Sequence, residues 1–233
     1  YRYYSTRQFE PLNTIRYLRA LDMPLNEIAD FLQNRDLDKM EEKLQQQKEI
    51  VIKREQELKR IERKIGNRLN QLKDARNSVL DVIALTTARA CRLVWMEDNL
   101  TIKEFVDMET PIRKLEQKQK EALIFLGKVG VGIAAEQLLK GQFQQYNGIF
   151  LLLDEEDQYD GTVIHLQETP CVSVRFRGSH KEAPAQYEKL MNYIQEHNLK
   201  VAGFSREITM IDYGLTNDTE KFVTEISIPV KVS

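Results

Sequence analysis

Near the C-terminus two carboxylates stand in apolar company. Glu207 is followed by Ile208, Met210 and Ile211, and Glu225 breaks the apolar run over residues 222–232. A buried, unpaired carboxylate persists only when it is neutralised or meets a cation, so the pair predicts a site whose ligand carries positive charge. Aromatic rings supply the other half of such recognition, through their negative faces and their flat apolar area. Trp95 and Phe176 close two strand-like runs, and Tyr187 and Tyr193 lie on the helical stretch between the second run and the last strands. Tyr187 shares a face with Leu190, Met191 and Ile194, a spacing that suits plain core as well; Tyr193 is offset from it. Tyr146 and Tyr213 flank strands and are weaker candidates. Two alternatives stand beside the ligand-acid reading of the Glu residues: strand alternation turns them to water, or Arg175 or Arg206 pairs with one of them.

Carboxylates beside tyrosines can also activate water. The sequence has no Ser-His-Asp or Cys-His arrangement and no Gly-rich phosphate loop, and His165, His180 and His197 are scattered. Cys91 and Cys171 sit in strand-like apolar surroundings without metal spacing, which predicts reduced core thiols. No catalytic residue, no metal and no cofactor are therefore expected. At the other end of the chain, Arg2, Tyr3, Tyr4 and Arg7 form a compact basic and aromatic cluster whose guanidinium and hydroxyl groups are donors to phosphate oxygens. For Tyr4, packing on a core fits as well as a phosphate contact. Arg16 and Arg19 share one helix face, which suits a solvated surface equally.

The elements that must position these groups fall into three blocks. Residues 6–18 and 25–32 read as two short helices separated by Met23-Pro24. From Leu37 to Val79, Leu37, Leu44, Val51, Leu58, Ile65, Leu72 and Val79 recur every seven residues, a heptad seam on one helix about 60 Å long at 1.5 Å per residue. The second column, Met40, Gln47, Arg54, Ile61, Arg68 and Ala75, is half polar, which favours a loose or antiparallel helix pair over a tight parallel zipper. The seam predicts a homodimer, centred on Leu44, Val51, Leu58, Ile65 and Leu72; the competing reading folds the helix back on its own domain. Beyond it the texture changes to strand, helix, strand, strand, twice: residues 90–96, 111–126, 129–139 and 146–153, then 171–177, 184–197, 200–213 and 221–232. Cys91 and Cys171 open corresponding strands, which argues for a duplicated α+β domain with residues 154–160 as linker. Residues 1–80 carry 17 Lys and Arg against 13 Asp and Glu, and the remainder 17 against 23, a basic front and an acidic back. Apolar runs fall far short of a membrane span and no signal peptide is present, so a cytoplasmic protein with no membrane partner is expected.

The segment Tyr1-Arg2-Tyr3-Tyr4-Ser5, with Ile15-Arg16-Tyr17-Leu18-Arg19-Ala20-Leu21-Asp22-Met23-Pro24-Leu25-Asn26-Glu27-Ile28, closely resembles the second half of the DNA-binding domain of MerR-family transcription regulators. The tail resembles the second repeat of a GyrI-like effector-binding domain through Lys189-Leu190-Met191-Asn192-Tyr193-Ile194, Val201-Ala202-Gly203 and Thr224-Glu225-Ile226-Ser227-Ile228-Pro229-Val230. With the long helix between them, the order is similar to the BmrR-like multidrug-sensing branch. The resemblance implies an α+β chain in three parts: residues 1–36, the remainder of a winged-helix DNA-binding domain; residues 37–80, an antiparallel coiled-coil dimerisation helix; and residues 81–233, a GyrI-like domain of two β-α-β-β repeats. It implies a ligand-responsive activator that binds promoter DNA as a dimer, twists an overlong spacer for RNA polymerase, and senses a lipophilic cation between the repeats. Under it Glu207 aligns with the pocket acid, Glu225 matches a Glu of the last strand, and Glu220 and Phe222 match an acidic and aromatic pair at the rim. The recognition helix that precedes the wing in that family is absent from this sequence, so the chain as written is expected to bind DNA weakly or not at all. Some GyrI-like domains are similar to hydrolases of small electrophiles, which leaves a hydrolase or a sequestering protein using paired Glu residues as the alternative.

Overall fold

The computed structural model describes residues 5–33, 36–102, 107, 109–116, 128–155 and 157–232. The chain divides into two compact units, Tyr1–Gly66 and Asn67–Ser233, with the boundary inside one long helix. In the first unit, α1 (Thr6–Ala20) starts at Ser5, whose backbone N–H donates to Gln8 Oε1 at 2.9 Å. A turn through Asp22, with φ of 59°, leads to α2 (Leu25–Gln33) and then to α3 (Leu37–Arg76). Leu18, Met23 and Ile28 form the buried centre, with Ile15, Phe31, Leu32, Met40 and Leu44 packed around it. Lys43 pairs with Glu27 at 3.3 Å and Arg54 with Asp22 at 2.8 Å, tying α3 to the helix pair. Arg7 is exposed on α1, and Arg2, Tyr3 and Tyr4 lie outside the described residues.

The second unit is α+β: an antiparallel sheet of nine strands. They are β1 (Ala84–Ala88), β2 (Cys91–Leu100), β3 (Val129–Gly132), β4 (Tyr146–Leu153), β5 (Ile164–Leu166), β6 (Thr169–Arg177), β7 (Leu199–Val201), β8 (Arg206–Ile211) and β9 (Val223–Val232). Helices α4 (Glu109–Glu116), α5 (Ala135–Leu139) and α6 (Ala183–Glu196) interrupt them. The strand order is β1-β6-β9-β8-β3-β4-β2-β5, with β7 added alongside β9. Its two halves mirror each other: β6-β9-β8 meets β3-β4-β2 at the β8–β3 join. Two exchanges tie the halves together. β1, which leads into the first repeat, pairs with β6 of the second, and β5, which leads into the second, pairs with β2 of the first. The strand, helix, strand, strand repeat expected from the sequence is therefore present, with each repeat's leading strand donated to the other.

Within that frame the expected elements need revision. The segment 129–139 is not one strand: β3 stops at Gly132 and α5 follows, its N-terminus set by Ala134, whose N–H donates to Asn147 Oδ1 at 2.7 Å. The segment 200–213 is two strands, β7 and β8. Of the helix expected over 111–126, the described part is α4; residues 117–127 lie outside the described residues. The acidic stretch 154–160 is anchored, because Arg92 donates to the backbone carbonyls of Asp154, Glu155 and Asp157, and Lys128 pairs with Asp154 and Asp157. One face of the sheet, carrying Val94, Val131, Ile149, Leu151, Val172, Val174, Phe176, Ile226 and Ile228, packs with Tyr187, Leu190 and Ile194 of α6 into the main core. The C-terminal turns of α3 pack Leu72 and Ala75 against Ile211 and Val223. Both cysteines are free thiols, Cys171 buried and Cys91 half-buried. No helix among the described residues is long and apolar enough to cross a membrane.

Candidate functional site

The join between the repeats is where an acidic side chain is most out of place, and Glu207 is there. It lies on β8, directly across from Val131 of β3 on one side and Ile226 of β9 on the other, both fully buried core residues. Strand alternation points its carboxylate to the helix-covered face, and its exposure is 0%. Tyr146 Oη, from the start of β4, donates to the carboxylate at 3.0 Å from each oxygen. His180 Nδ1 lies 2.5 Å from Oε1. Tyr187 of α6 hydrogen-bonds Ser205 Oγ at 2.9 Å, and the same Ser205 oxygen accepts the backbone N–H of Ile133 at 2.9 Å. That second bond fixes Ser205 across the β3–β8 join.

The aromatic surroundings follow from these anchors. Phe143 stacks on Tyr187 with ring centroids 5.8 Å apart, and Tyr146 meets the His180 ring edge-on at 6.0 Å. Burial, and after it the Glu207 charge, push the ionisation of both the Tyr146 and the Tyr187 phenol far up, so both hydroxyls remain protonated. A fully buried acid is thus held by phenol donors inside a wall of rings. Such a site can stabilise positive charge, by Coulomb attraction to Glu207 and by the ring faces.

The other residues proposed from the sequence are distributed differently. Glu225 does not join Glu207. It neighbours Ile226 in β9 and so faces the opposite side of the sheet, where Arg175 Nε donates to it at 2.6 Å. Arg175 also pairs with Asp74 at 2.6 Å and donates to Ser78 Oγ at 3.0 Å, so Glu225 belongs to a network that docks the end of α3 on the sheet. Trp95 is on that opposite side too, 4.5 Å from Phe204 and stacked on Phe150 at 6.4 Å. Gly132 and Gly148 make room for it: a Cβ would come within 2.9 Å and 2.5 Å of the indole. Phe176 is fully buried core. Tyr193 stacks on His197 at 3.8 Å, Phe222 is buried edge-on against Tyr213 at 4.8 Å, and Glu220 is exposed in the 3-10 turn Thr219–Lys221. Of the eight ligand-site candidates, the geometry brings together Glu207 and Tyr187. It adds His180 and Ser205 and raises Tyr146 from the weaker set. Among the described residues no group of His, Cys, Asp and Glu could hold a metal ion.

The description of the GyrI-like small molecule binding domain fits residues 90–231, which contain the whole cluster. The chain belongs to that family. The GyrI-like domain does not stand alone here, because similarity to known proteins extends through the front half as well. The Multidrug-efflux transporter 2 regulator of Bacillus subtilis (strain 168) is 22% identical over 99% of this chain and 84% of its own length. The EcmrR chain of the cryo-EM EcmrR-DNA complex in EcmrR-RPo superposes with a TM-score of 0.51 at 16% identity, covering 100% of this chain and 87% of that one. The crystal structure of the EcmrR C-terminal domain matches 65% of this chain and 98% of its own, at 13% identity and a TM-score of 0.48. Over the whole chain, helical front, long helix and GyrI-like domain together, the fold is similar to that of the EcmrR chain.

Proposed function

We propose that this protein is a ligand-responsive transcription regulator whose GyrI-like domain senses a hydrophobic cation at Glu207. The observation that carries the reading is the fully buried Glu207, set at the join of the repeats with Tyr146, Tyr187 and Phe143 around it. The likeness to a regulator of a multidrug-efflux transporter supports sensing as the use of that site. Hydrolysis through paired carboxylates finds no support, because Glu225 is on the other side of the sheet and engaged by Arg175. The N-terminal domain serves to bind promoter DNA, with RNA polymerase as the partner at the promoter.

The regulator acts as a homodimer through α3. Leu44 and Leu72, at the ends of the seam, are taken up by the chain's own cores. Val51, Leu58 and Ile65 between them stay 50%, 65% and 56% exposed, an apolar stripe that a second copy would cover. The test of the sensor reading is calorimetry with tetraphenylphosphonium and other lipophilic cations beside neutral compounds of similar shape, followed by mass spectrometry of the recovered ligands. Binding of unaltered cations in preference to neutral matches is expected. Chemical turnover, or no preference for charge, would remove the reading.

A further inference from the structure

Glu207 has an imidazole partner within the chain, and the connection that carries it is held in place by backbone and side-chain bonds. His180 lies between β6 and α6, two residues past Gly178, whose φ of +129° is a conformation that side-chain-bearing residues rarely adopt. Gly178 is pinned on both sides: its N–H donates to the Phe222 carbonyl at 3.1 Å, and its carbonyl accepts from Thr224 Oγ1 at 2.7 Å. The turn delivers His180 Nδ1 to Glu207 Oε1 with the imidazole 14% exposed, so the ring is at the margin of the site and in contact with solvent.

Among the described residues, the titratable groups around the imidazole come from three elements. β8 contributes Glu207 and β4 contributes Tyr146, while Tyr187 of α6 lies beyond them. On the connection itself Lys181 is exposed, and Glu182 Oε2 is occupied by the Ser179 N–H and hydroxyl at 2.8 Å and 3.1 Å. Both phenols stay protonated, so they donate to Glu207 without changing its charge. Among the described residues, His180 is the basic side chain in direct contact with Glu207.

We propose that His180 is a built-in stand-in for the positive charge of the effector: in the empty site its imidazolium neutralises Glu207, and an arriving lipophilic cation takes over that role as His180 releases its proton to solvent. This rests on the cation-sensor reading above and adds the residue that sets its selectivity. The charge balances, with one cation entering and one proton leaving. A neutral ligand cannot make the exchange and must enter with the ion pair intact or leave Glu207 uncompensated. Because a proton is released on binding, cation affinity rises with pH, by up to about tenfold per unit while His180 is protonated in the free protein.

The experiment is calorimetric titration of the 233-residue chain with tetraphenylphosphonium between about pH 5.5 and 8, repeated in buffers of different ionisation enthalpy. About one proton should be released per cation at the acidic end, with affinity climbing and then levelling. The H180Q and H180N variants should bind the cation at the acidic end about tenfold or more tightly than the wild type, without proton release or pH slope. H197Q should keep the wild-type slope. Cation binding by the wild type with no proton release, and with a pH profile shared by the His180 variants, would overturn the His180 assignment and leave the sensor reading standing. Absence of binding by any cation at any pH would instead remove the sensor reading, and the exchange with it. The proton count on the wild type needs no variant to fold.

Discussion

Replacing Glu207 by Gln removes one charge and almost nothing else. Gln keeps the shape, and its Oε1 still accepts from the Tyr146 hydroxyl that now lies 3.0 Å from both carboxylate oxygens. The site is fully buried, so the attraction between Glu207 and a bound cation is screened by protein rather than by water. At about 4 Å and an effective dielectric of about 20 the Coulomb energy is about 4 kcal/mol. A carboxylate already stabilised by a phenol donor and a nearby imidazole returns less than that, so a loss of about 2–4 kcal/mol is expected. That is about 30- to 700-fold in dissociation constant. The assay is fluorescence or calorimetric titration with tetraphenylphosphonium and a neutral triaryl compound such as triphenylphosphine oxide. It is best made at the alkaline end of the range, where competition from His180 is weakest. The neutral compound should bind the variant and the wild type within about threefold, since only the charge-dependent part is removed. An equal loss for both ligands would mean that the substitution disturbs shape, and no loss for either would mean that Glu207 does not meet the ligand; either result refutes the reasoning. Thermal melting of the variant guards against a folding artefact.

Four further outcomes follow from the same structure. L58E places a charge in the middle of the exposed seam of α3; with about 1.5 kcal/mol forfeited per buried Leu side chain and two chains affected, sedimentation should show the dimer dissociation constant raised by at least about 100-fold. E225Q should lower stability to denaturant by roughly 1–3 kcal/mol, because it takes a charge-assisted partner from Arg175, yet leave tetraphenylphosphonium binding unchanged. In the same network Arg175 holds the Asp74 carboxyl below its ordinary range, so the stability it lends is present at neutral pH and fades as pH falls through the acid range, a trend that R175M should flatten in acid-unfolding curves. G132A puts a Cβ 2.4 Å from the Ser205 carbonyl and against the indole of Trp95, so it should destabilise by about 1–3 kcal/mol and shift the fluorescence of this single tryptophan.

What could be read from the sequence was whatever one strand or helix encodes by itself. The heptad positions from Leu37 to Val79 mark α3, the apolar run in 146–153 marks β4, and the alternation in 171–177 marks most of β6. Glu207 stood out because an acid in a mostly apolar strand is a local anomaly. Of its partners, Tyr146 stood out only weakly and His180 not at all, since both are brought to it by long-range register. Tyr146 comes from another repeat, 61 residues away, and His180 from a turn that Gly178 bends into place. Strands β1 and β5 were invisible for a related reason: five and three residues long and half-exposed, they are stabilised by pairing with the opposite repeat rather than by their own pattern.

The duplication also explains why Glu225 and Trp95 looked like site residues. Four residues after Cys91 and Cys171, Trp95 and Arg175 occupy corresponding positions in β2 and β6, and in the register Trp95 faces Phe150 while Arg175 faces Glu225. On the side of the sheet away from Glu207, one repeat therefore holds an aromatic stack and the other an ion pair. Arg175 and Glu225 secure the end of α3, through Asp74 and Ser78, while Trp95 fills the space left by Gly132 and Gly148. The strand pattern announces an acid or a large ring in both cases, and the periodicity of two cannot say which side of the sheet carries a ligand and which carries a fastening. On the Glu207 side the repeats contribute unequal parts to one cluster: a phenol from the first, and the acid, the imidazole and a second phenol from the second. A site assembled across a pseudo-symmetric join in this way needs both repeats in register. Its acid can therefore be recognised from sequence alone, but the contact of His180 with that acid emerges only with the fold.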